Sequence, residues 1–212
     1  MPKGFPAYVR VFHPAYRFDP SAVEKRTPIC WAEIAAANGT QGHAGMQLSG
    51  LTGYYRYEGK GQEGVYDYPP TVGSLPVEVA SELVAVLVRH TTTPEHCWFA
   101  VWNGFGSTRA DVRRAPTFEL PKREYHLLTG PIDAITENVL DPGGQSANIW
   151  WPDDRAWFVA TEIDLRTTYI GCSQACSDAI DAVPELEALP IDPATGVTFN
   201  SDLVNPQPQM GP

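Results

Sequence analysis

Alternating and continuous apolar stretches predict β-strands at several places along the chain. Residues Ala7–Phe12 alternate apolar with polar side chains, which is typical of a strand with one buried face. Residues Cys97–Trp102 are apolar throughout and lie between Pro94 and Gly104, a pattern that favours a central strand buried on both faces. Further strands are predicted at 123–128, 156–164 and 168–171.

Helical periodicity marks three segments. In 74–90, apolar residues recur every three or four positions on one side, and polar and charged residues occupy the other. Thr27-Pro28 supplies an N-cap and a first-turn proline for a helix predicted at 29–38, and Gly39 ends it. A third amphipathic helix is predicted at 172–183.

The order of these elements predicts the fold class. Strands and helices are interleaved without a regular β-α-β-α rhythm, and no repeat is present. We therefore predict an α+β fold with one mixed or largely antiparallel sheet flanked by two or three helices. A single domain is predicted over 1–204, followed by a C-terminal tail at 205–212. The Gly- and Tyr-rich segment 39–73 is predicted to be irregular.

The composition and net charge of the chain argue against some classes of binding partner and favour one cellular compartment. The formal net charge of −10 argues against nucleic-acid binding, which needs a basic face, and against docking on anionic lipid. No apolar run reaches the roughly 18–20 residues that span a bilayer. The chain has no secretory signal pattern and four cysteines outside any C-x-x-C pair, so we predict a cytoplasmic location. A basic protein partner suits the charge, although solubility alone also accounts for it.

The most unusual composition lies between residues 150 and 157, where three indoles flank two carboxylates and a guanidinium. Such a cluster can hold a ligand by stacking, with the arginine gripping an anion. Alternatively, the segment is a turn between two strands whose indoles fill the core, and an aspartate pairs with the arginine. The structural interpretation is favoured. The candidate binding residues are Trp150, Trp151, Asp153, Asp154 and Arg155, with Trp157 beside them.

Glu162 and Asp164 are the candidate catalytic residues. On a strand over 156–164 they lie at i and i+2, so their side chains share one face roughly 7 Å apart. Two carboxylates at that distance can share a metal or divide into an acid and a base. The favoured interpretation is that this end of the strand emerges into solvent. If the carboxylates are buried, a partner such as Arg155 or Arg166 is expected.

Cysteine and histidine offer little evidence of a metal site. Cys172 and Cys176, at i and i+4, are able to ligate a soft metal, but both fall within the apolar stripe of the predicted helix, where thiols pack as small hydrophobic groups. No pair among the five histidines has helical ligand spacing. The five are His13, His43, His90, His96 and His126. Nucleotide-binding and hydrolase signatures are absent from the sequence, and we predict neither a metal nor a cofactor.

Four blocks of sequence resemble a family of uncharacterised actinobacterial proteins. They are HPAY (13–16), CWFAVWNGFG (97–106), NIWWPDDRAWFVATEIDL (148–165) and TYIGCS (168–173). The resemblance extends from Tyr8 to about Asn205, and the Trp-rich block is its most specific part. It implies no activity, cofactor or catalytic residue. In size, acidity and α+β layout the chain is also similar to bacterial immunity proteins, by analogy alone.

Two functional hypotheses follow. The first is a non-enzymatic binding protein, immunity-like or an accessory factor, that recognises a basic protein partner; the tyrosines of 39–73 would suit a contact surface. These tyrosines are Tyr54, Tyr55, Tyr57, Tyr66 and Tyr68. The alternative is a small-molecule hydrolase in which Glu162 and Asp164 lie beside an aromatic pocket. The pocket is formed by the three tryptophans of the Trp-rich block, Trp150, Trp151 and Trp157. A component of a larger assembly is a third option. Oligomeric state is left open.

Overall fold

One antiparallel sheet organises the fold. A computed structural model describes residues 1–19, 21, 26–54 and 61–209. The sheet has eight strands: β1 (Ala7–Phe12), β4 (Cys97–Trp102), β5 (Thr117–Leu120), β6 (Arg123–Gly130), β7 (Ile149–Pro152), β8 (Phe158–Thr161), β9 (Thr167–Cys172) and β10 (Glu187–Pro190). Their order is β10-β1-β9-β8-β7-β4-β6-β5, and every neighbouring pair is antiparallel. Two further strands, β2 (Ala15–Phe18) and β3 (Arg26–Ile29), form a separate antiparallel pair.

Helices complete the α+β architecture. Five α-helices occur in the described ranges: α1 (Trp31–Asn38), α2 (Leu48–Thr52), α3 (Val77–Leu87), α4 (Ala110–Arg113) and α5 (Gln174–Asp181). Short 3-10 helices occupy Val88–His90 and Ile132–Thr136. Within the ranges described, none of these helices has the length and apolarity that a membrane crossing requires. The predicted fold class is confirmed.

The largest core lies between one face of the sheet, called the inner face below, and helices α3 and α5. Leu83 of α3 and Ile180 of α5 have no exposed surface and pack with sheet residues such as Val101. Complete burial of each such side chain contributes roughly 1.5–3 kcal/mol relative to exposure. This core therefore accounts for much of the sheet's attachment to its helices.

The opposite face of the sheet is covered over only part of its width. Helices α1 and α2 lie over the β10-β1 side, where Trp31, Ile34 and Leu51 pack against Phe12 of β1. The Trp31 and Phe12 rings have centroids 5.0 Å apart. Strands β8, β7, β4, β6 and β5 extend beyond this second core, so their outward side chains have different surroundings.

Three helices begin later in the chain than predicted, because the residues predicted to begin them form strand pairs or hydrogen bonds with other segments. Ile29 pairs with Ala15 in the β2–β3 hairpin, so α1 begins at Trp31, while Gly39 ends it at φ 65° as predicted. Ser74 accepts a hydrogen bond from Ser146 N at 3.1 Å instead of capping α3, which begins at Val77. Strand β9 includes Cys172, so α5 begins at Gln174.

The segments predicted to be irregular contain additional structure. The 39–73 segment includes α2, while its residues 55–60 lie outside the described ranges. At the start of the predicted tail, Asn205 is 8% exposed and donates from Nδ2 to Gln41 O at 2.9 Å. Further along, Gln209 N donates to Gly53 O at 3.0 Å. Residues 205–209 thus contact the 39–73 segment, and 210–212 lie outside the described residues.

Candidate functional site

Strand alternation divides the aromatic residues of β4 to β8 between two faces. On β4, Phe99 and Val101 point toward α3, so Trp98 and Trp102 point away from it. These outward side chains, together with those of the neighbouring strands, form a surface that we call the outer aromatic layer. Its residues are Trp98, Ala100, Trp102, Phe118, Tyr125, Ile149, Trp151, Phe158 and Ala160.

Four rings of the layer are in contact with one another, those of Phe158, Trp151, Phe118 and Tyr125. Trp151 and Phe158 stack at 5.7 Å between centroids with an interplanar angle of 18°. Phe118 meets Trp151 edge to face at 6.5 Å and lies 5.9 Å from Tyr125. Aromatic pairs of this kind contribute roughly 0.5–1.5 kcal/mol beyond area burial. The rings are therefore held in fixed positions on the sheet.

The layer shields its floor but is itself open to solvent. Ala100 is fully buried and Ile149 is 8% exposed, because the rings lie over them. The larger rings Trp98, Trp151 and Phe158 are only half-buried. Within the described chain, the hydrophobic cluster at this place consists of sheet residues alone. An aromatic surface that is partly open to solvent is a feature that interaction surfaces often have.

Charged groups border the layer at both ends. At one end, Asp153 Oδ1 accepts a hydrogen bond from Trp98 Nε1 at 3.1 Å. At the other end, the Arg123 guanidinium lies 5.3 Å from the Trp102 ring centroid. Its Nη2 is 2.6 Å from Glu162 Oε1 and 3.1 Å from Asp164 Oδ2. The layer thus already holds one guanidinium between an aromatic ring and carboxylates.

The two candidate catalytic carboxylates, Glu162 and Asp164, both contact Arg123. Strand β8 ends at Thr161, so Glu162 and Asp164 follow it rather than lying within it. Both bind Arg123, not the predicted Arg155 or Arg166. The two carboxylates share one guanidinium, so the cluster of three side chains keeps a net charge of −1. Arg123 is thus the cation that faces both candidate catalytic residues.

We expect Glu162→Gln and Asp164→Asn each to change the free energy of unfolding by less than about 1 kcal/mol. Their side chains are 39% and 75% exposed, and ion pairs with this much solvent contact contribute little, although the Glu162 Oε1 that lies against Arg123 is itself buried and makes no hydrogen bond. Urea denaturation followed by circular dichroism measures the change. A loss above about 2 kcal/mol in either variant would show that the pair is effectively desolvated and would contradict this interpretation.

The three block tryptophans do not form one pocket. Trp150 and Trp157 lie in the inner core without exposed surface, with ring centroids 4.9 Å apart. Trp157 Nε1 donates to Leu87 O at 3.1 Å, which fixes the ring against α3. Trp151 lies on the opposite face, in the outer aromatic layer. The core-filling interpretation therefore holds for two indoles, and the predicted aromatic pocket beside Glu162 is wrong.

The turn between β7 and β8 is held by contacts different from those predicted. Asp154 accepts hydrogen bonds from Thr92 N at 2.7 Å and from Thr91 Oγ1 at 2.9 Å, rather than pairing with Arg155. Burial opposes ionisation of Asp154, but bonds from Thr92 and Ala156 outweigh it and keep its pKa below the ordinary value. Arg155 is exposed and has a positive φ of 55°.

The cysteine pair belongs to the inner core. Cys172 and Cys176 are 0% and 1% exposed, as the core-packing interpretation expects. A hydrogen bond between the thiols raises the pKa of Cys176 and lowers that of Cys172. Across the described ranges, no group of three or more His, Cys, Asp or Glu residues is placed to hold a metal ion.

His13 is fully buried, and each of its ring nitrogens has a hydrogen-bond partner. Its Nδ1 lies 2.8 Å from Thr71 O, which only accepts, so Nδ1 carries the proton. The other nitrogen, Nε2, then accepts from Thr168 Oγ1 at 2.9 Å. Burial lowers the pKa of His13 to about 4, and the nearby Arg166 charge acts in the same direction.

The remaining histidines and the described tyrosines lie in different parts of the molecule. His43 Nε2 lies 3.0 Å from Asp202 Oδ1, and His126 is buried within β6. Of the predicted contact tyrosines, Tyr66 is 3% exposed and belongs to the core under α1, which corrects its assignment. Tyr54 and Tyr68 are exposed. Tyr55 and Tyr57 lie outside the described residues.

Sequence reasoning missed most of the outer aromatic layer. Trp98, Trp102 and Phe158 are present in segments interpreted as buried strands, and Phe118 lies in β5, which was not predicted. The period-2 alternation is visible in the sequence, but it does not reveal which face a helix covers. Comparisons of the chain with protein-family models, with curated proteins and with solved structures find no match.

Proposed function

We propose that this protein is a non-enzymatic binding protein that recognises a basic protein partner through the outer aromatic layer. The observation that carries the proposal is an aromatic surface that contacts solvent while its backbone and floor are fixed by the sheet. Rigid aromatic side chains give large contact area at little entropic cost, which is why they are enriched in binding surfaces.

The chemistry of the layer favours a basic partner. Trp, Tyr and Phe rings attract guanidinium and ammonium groups through cation–π interactions, which contribute roughly 0.5–2 kcal/mol each. Arg123 shows how such a group sits on this surface, between the Trp102 ring and two carboxylates. At the other end, exposed Asp153 beside Trp98 offers a partner's arginine the same combination.

The charge of the whole chain supports the same partner class. A net charge of −10 attracts a basic protein over a distance comparable to the Debye length and raises the association rate at low salt. The five strands under the layer span roughly 19 Å, four gaps of about 4.8 Å. This width corresponds to the central apolar part of a protein–protein interface. The charged residues that border the layer would therefore also contact the partner.

Affinity capture tests the proposal. We would immobilise the wild-type protein and the Trp98→Ser/Trp151→Ser variant, and compare what each retains from an actinobacterial extract. The expected result is a basic protein, retained by the wild type and lost by the variant, whose purified form binds with a Kd that weakens at least tenfold between about 50 and about 300 mM NaCl.

The control is Leu203→Ser, which removes a 91% exposed apolar side chain outside the layer and should leave binding unchanged. Retention of the same proteins by wild type and layer variant would contradict the role of the layer. A Kd independent of salt would contradict the basic partner.

An immunity-like or accessory role in the cytoplasm belongs to the same proposal, because such factors act by occupying a partner's surface. The hydrolase alternative has lost its main support. Its aromatic pocket does not form, since Trp150 and Trp151 lie on opposite faces of the sheet, and Arg123 engages both of its carboxylates.

A further inference from the structure

A second candidate site lies in a cleft away from the outer aromatic layer. The cleft has a volume of about 720 Å³ and opens between the β2–β3 hairpin, the start of α3 and the 3-10 helix Ile132–Thr136. Small-molecule sites in proteins typically have volumes of roughly 300–1,000 Å³. No residue of the outer aromatic layer lines it, so the two sites are separate.

The floor of the cleft is apolar and rigid. Leu75 and Ile135 are 3% and 0% exposed, and both belong to the inner core. Leu75 N donates to Ser146 Oγ at 3.2 Å, and Gln145 Nε2 donates to Gly73 O at 2.7 Å. These bonds satisfy the polar groups of the floor internally. The floor is therefore preformed, and the apolar surface that a ligand can reach in the cleft is that of Pro28 and Val77, which are both exposed.

Two carboxylates and one guanidinium line the cleft above this floor. Glu78 accepts a hydrogen bond from the Tyr16 hydroxyl through Oε1, which orients the carboxylate and leaves Oε2 for a ligand. Glu137 lines the wall formed by the chain after the 3-10 helix, where it is 66% exposed and its Oε2 lies 3.8 Å from Arg109 Nη1, a contact that a ligand cation would have to displace or share. Arg26 belongs to the hairpin wall, with its guanidinium 5.3 Å from the Tyr68 ring centroid.

We propose that this cleft binds a free basic α-amino acid of the arginine or lysine class. Such a ligand has two cationic groups and one carboxylate, the charges that complement two carboxylates and one guanidinium. Its carboxylate would pair with Arg26, and its cationic groups with Glu78 and Glu137. The aliphatic stem would lie against Pro28 and Val77, which line the cleft and are exposed. This inference is independent of the proposed function of the outer aromatic layer.

Isothermal titration with L-arginine tests the site. We expect saturable one-to-one binding to the wild type, and a Kd raised by about tenfold in Glu78→Gln, because one charge-assisted contact is lost. Glu82→Gln is the matched control: Glu82 lies one turn further along α3, outside the cleft lining, and its replacement leaves the Kd unchanged.

Agmatine, which lacks the carboxylate, separates the contribution of Arg26. It binds more weakly than L-arginine to the wild type, and Arg26→Ala weakens L-arginine while leaving agmatine unaffected. Arginine with both backbone termini blocked distinguishes a free amino acid from a side chain of a protein. If the blocked compound binds as tightly as L-arginine, the free amino acid is overturned as the ligand.

Two further results would overturn the site itself. One is the absence of saturable heat when L-arginine is titrated up to about 20 mM, a concentration well above the Kd of a weak but specific complex. The other is equal affinity of wild type and a Glu78→Gln variant whose thermal unfolding matches the wild type. Neither result bears on the outer aromatic layer.

Discussion

Replacing Trp150 with alanine lowers the free energy of unfolding by about 3–5 kcal/mol, the range measured when large buried aromatic side chains are removed. The Trp150 ring has no exposed surface and lies 4.9 Å from the Trp157 ring and 6.4 Å from Phe99, between centroids. Alanine leaves a void between sheet and helices, so these rings lose contacts without gaining others. Urea denaturation followed by circular dichroism measures the loss.

The matched control is Trp151→Ala, one residue further along the same strand. Trp151 points to the other face and is half-buried, so about 1–2 kcal/mol is expected from its contacts with Phe118 and Phe158. Equal losses in the two variants would contradict the division of β7 into a core face and an outer face.

Acidification from pH 7 to pH 5 costs about 2 kcal/mol of stability through His13 alone, and about 3 kcal/mol once pH 4 is passed. His13 has a pKa of about 4 in the folded protein because it is buried, against an ordinary value of 6.5. Between these values the unfolded chain binds a proton that the folded chain does not. The stability is therefore complete above pH 6.5 and is lost as pH falls toward 4.

Urea denaturation at a series of pH values measures this linkage. His13→Gln is expected to be less stable at pH 7 but to lack the decline between pH 6.5 and pH 5. His96→Gln, at an exposed histidine, should retain the wild-type decline. The Asp202 carboxyl, whose pKa is about 2, titrates mostly below this window. Burial raises the pKa of Glu187, which favours the folded state as pH falls and so acts in the opposite direction. The test is therefore the difference between variants: the same pH dependence in the wild type and in His13→Gln would contradict the assigned environment of His13.

Much of the fold is predictable because local pattern and tertiary packing agree. The strand Ala7–Phe12 alternates because Val9 and Val11 enter the inner core while Arg10 and Phe12 lie on the other face, and both are buried there. Cys97–Trp102 is apolar throughout because its side chains divide between the inner core and the outer aromatic layer. The predicted helix boundaries were less accurate where residues distant in the sequence pair with the residues predicted to begin the helix. Cys172, for example, joins β9 because Ala7 lies opposite it, which no local signal indicates.

The candidate site was less predictable, because it depends on which face of the sheet a helix covers. The Trp-rich block was interpreted as one unit, although Trp150 and Trp151 alternate to opposite faces. Arg123 was not expected to meet Glu162, since Arg123 begins β6, Glu162 follows β8, and two other strands lie between β6 and β8 in the sheet. Strand order is a long-range property that pairwise pattern in one sequence does not contain.

Hydroxyl-radical footprinting of the free protein, read by mass spectrometry at single residues, tests the central claim most directly. If the outer aromatic layer is an open surface and the inner face is a sealed core, Trp98 and Trp151 are oxidised rapidly while Trp150 and Trp157 are protected. Protection of Trp98 and Trp151 to the level of Trp150 in the monomer would show that the layer is covered, and would contradict its role as a binding surface.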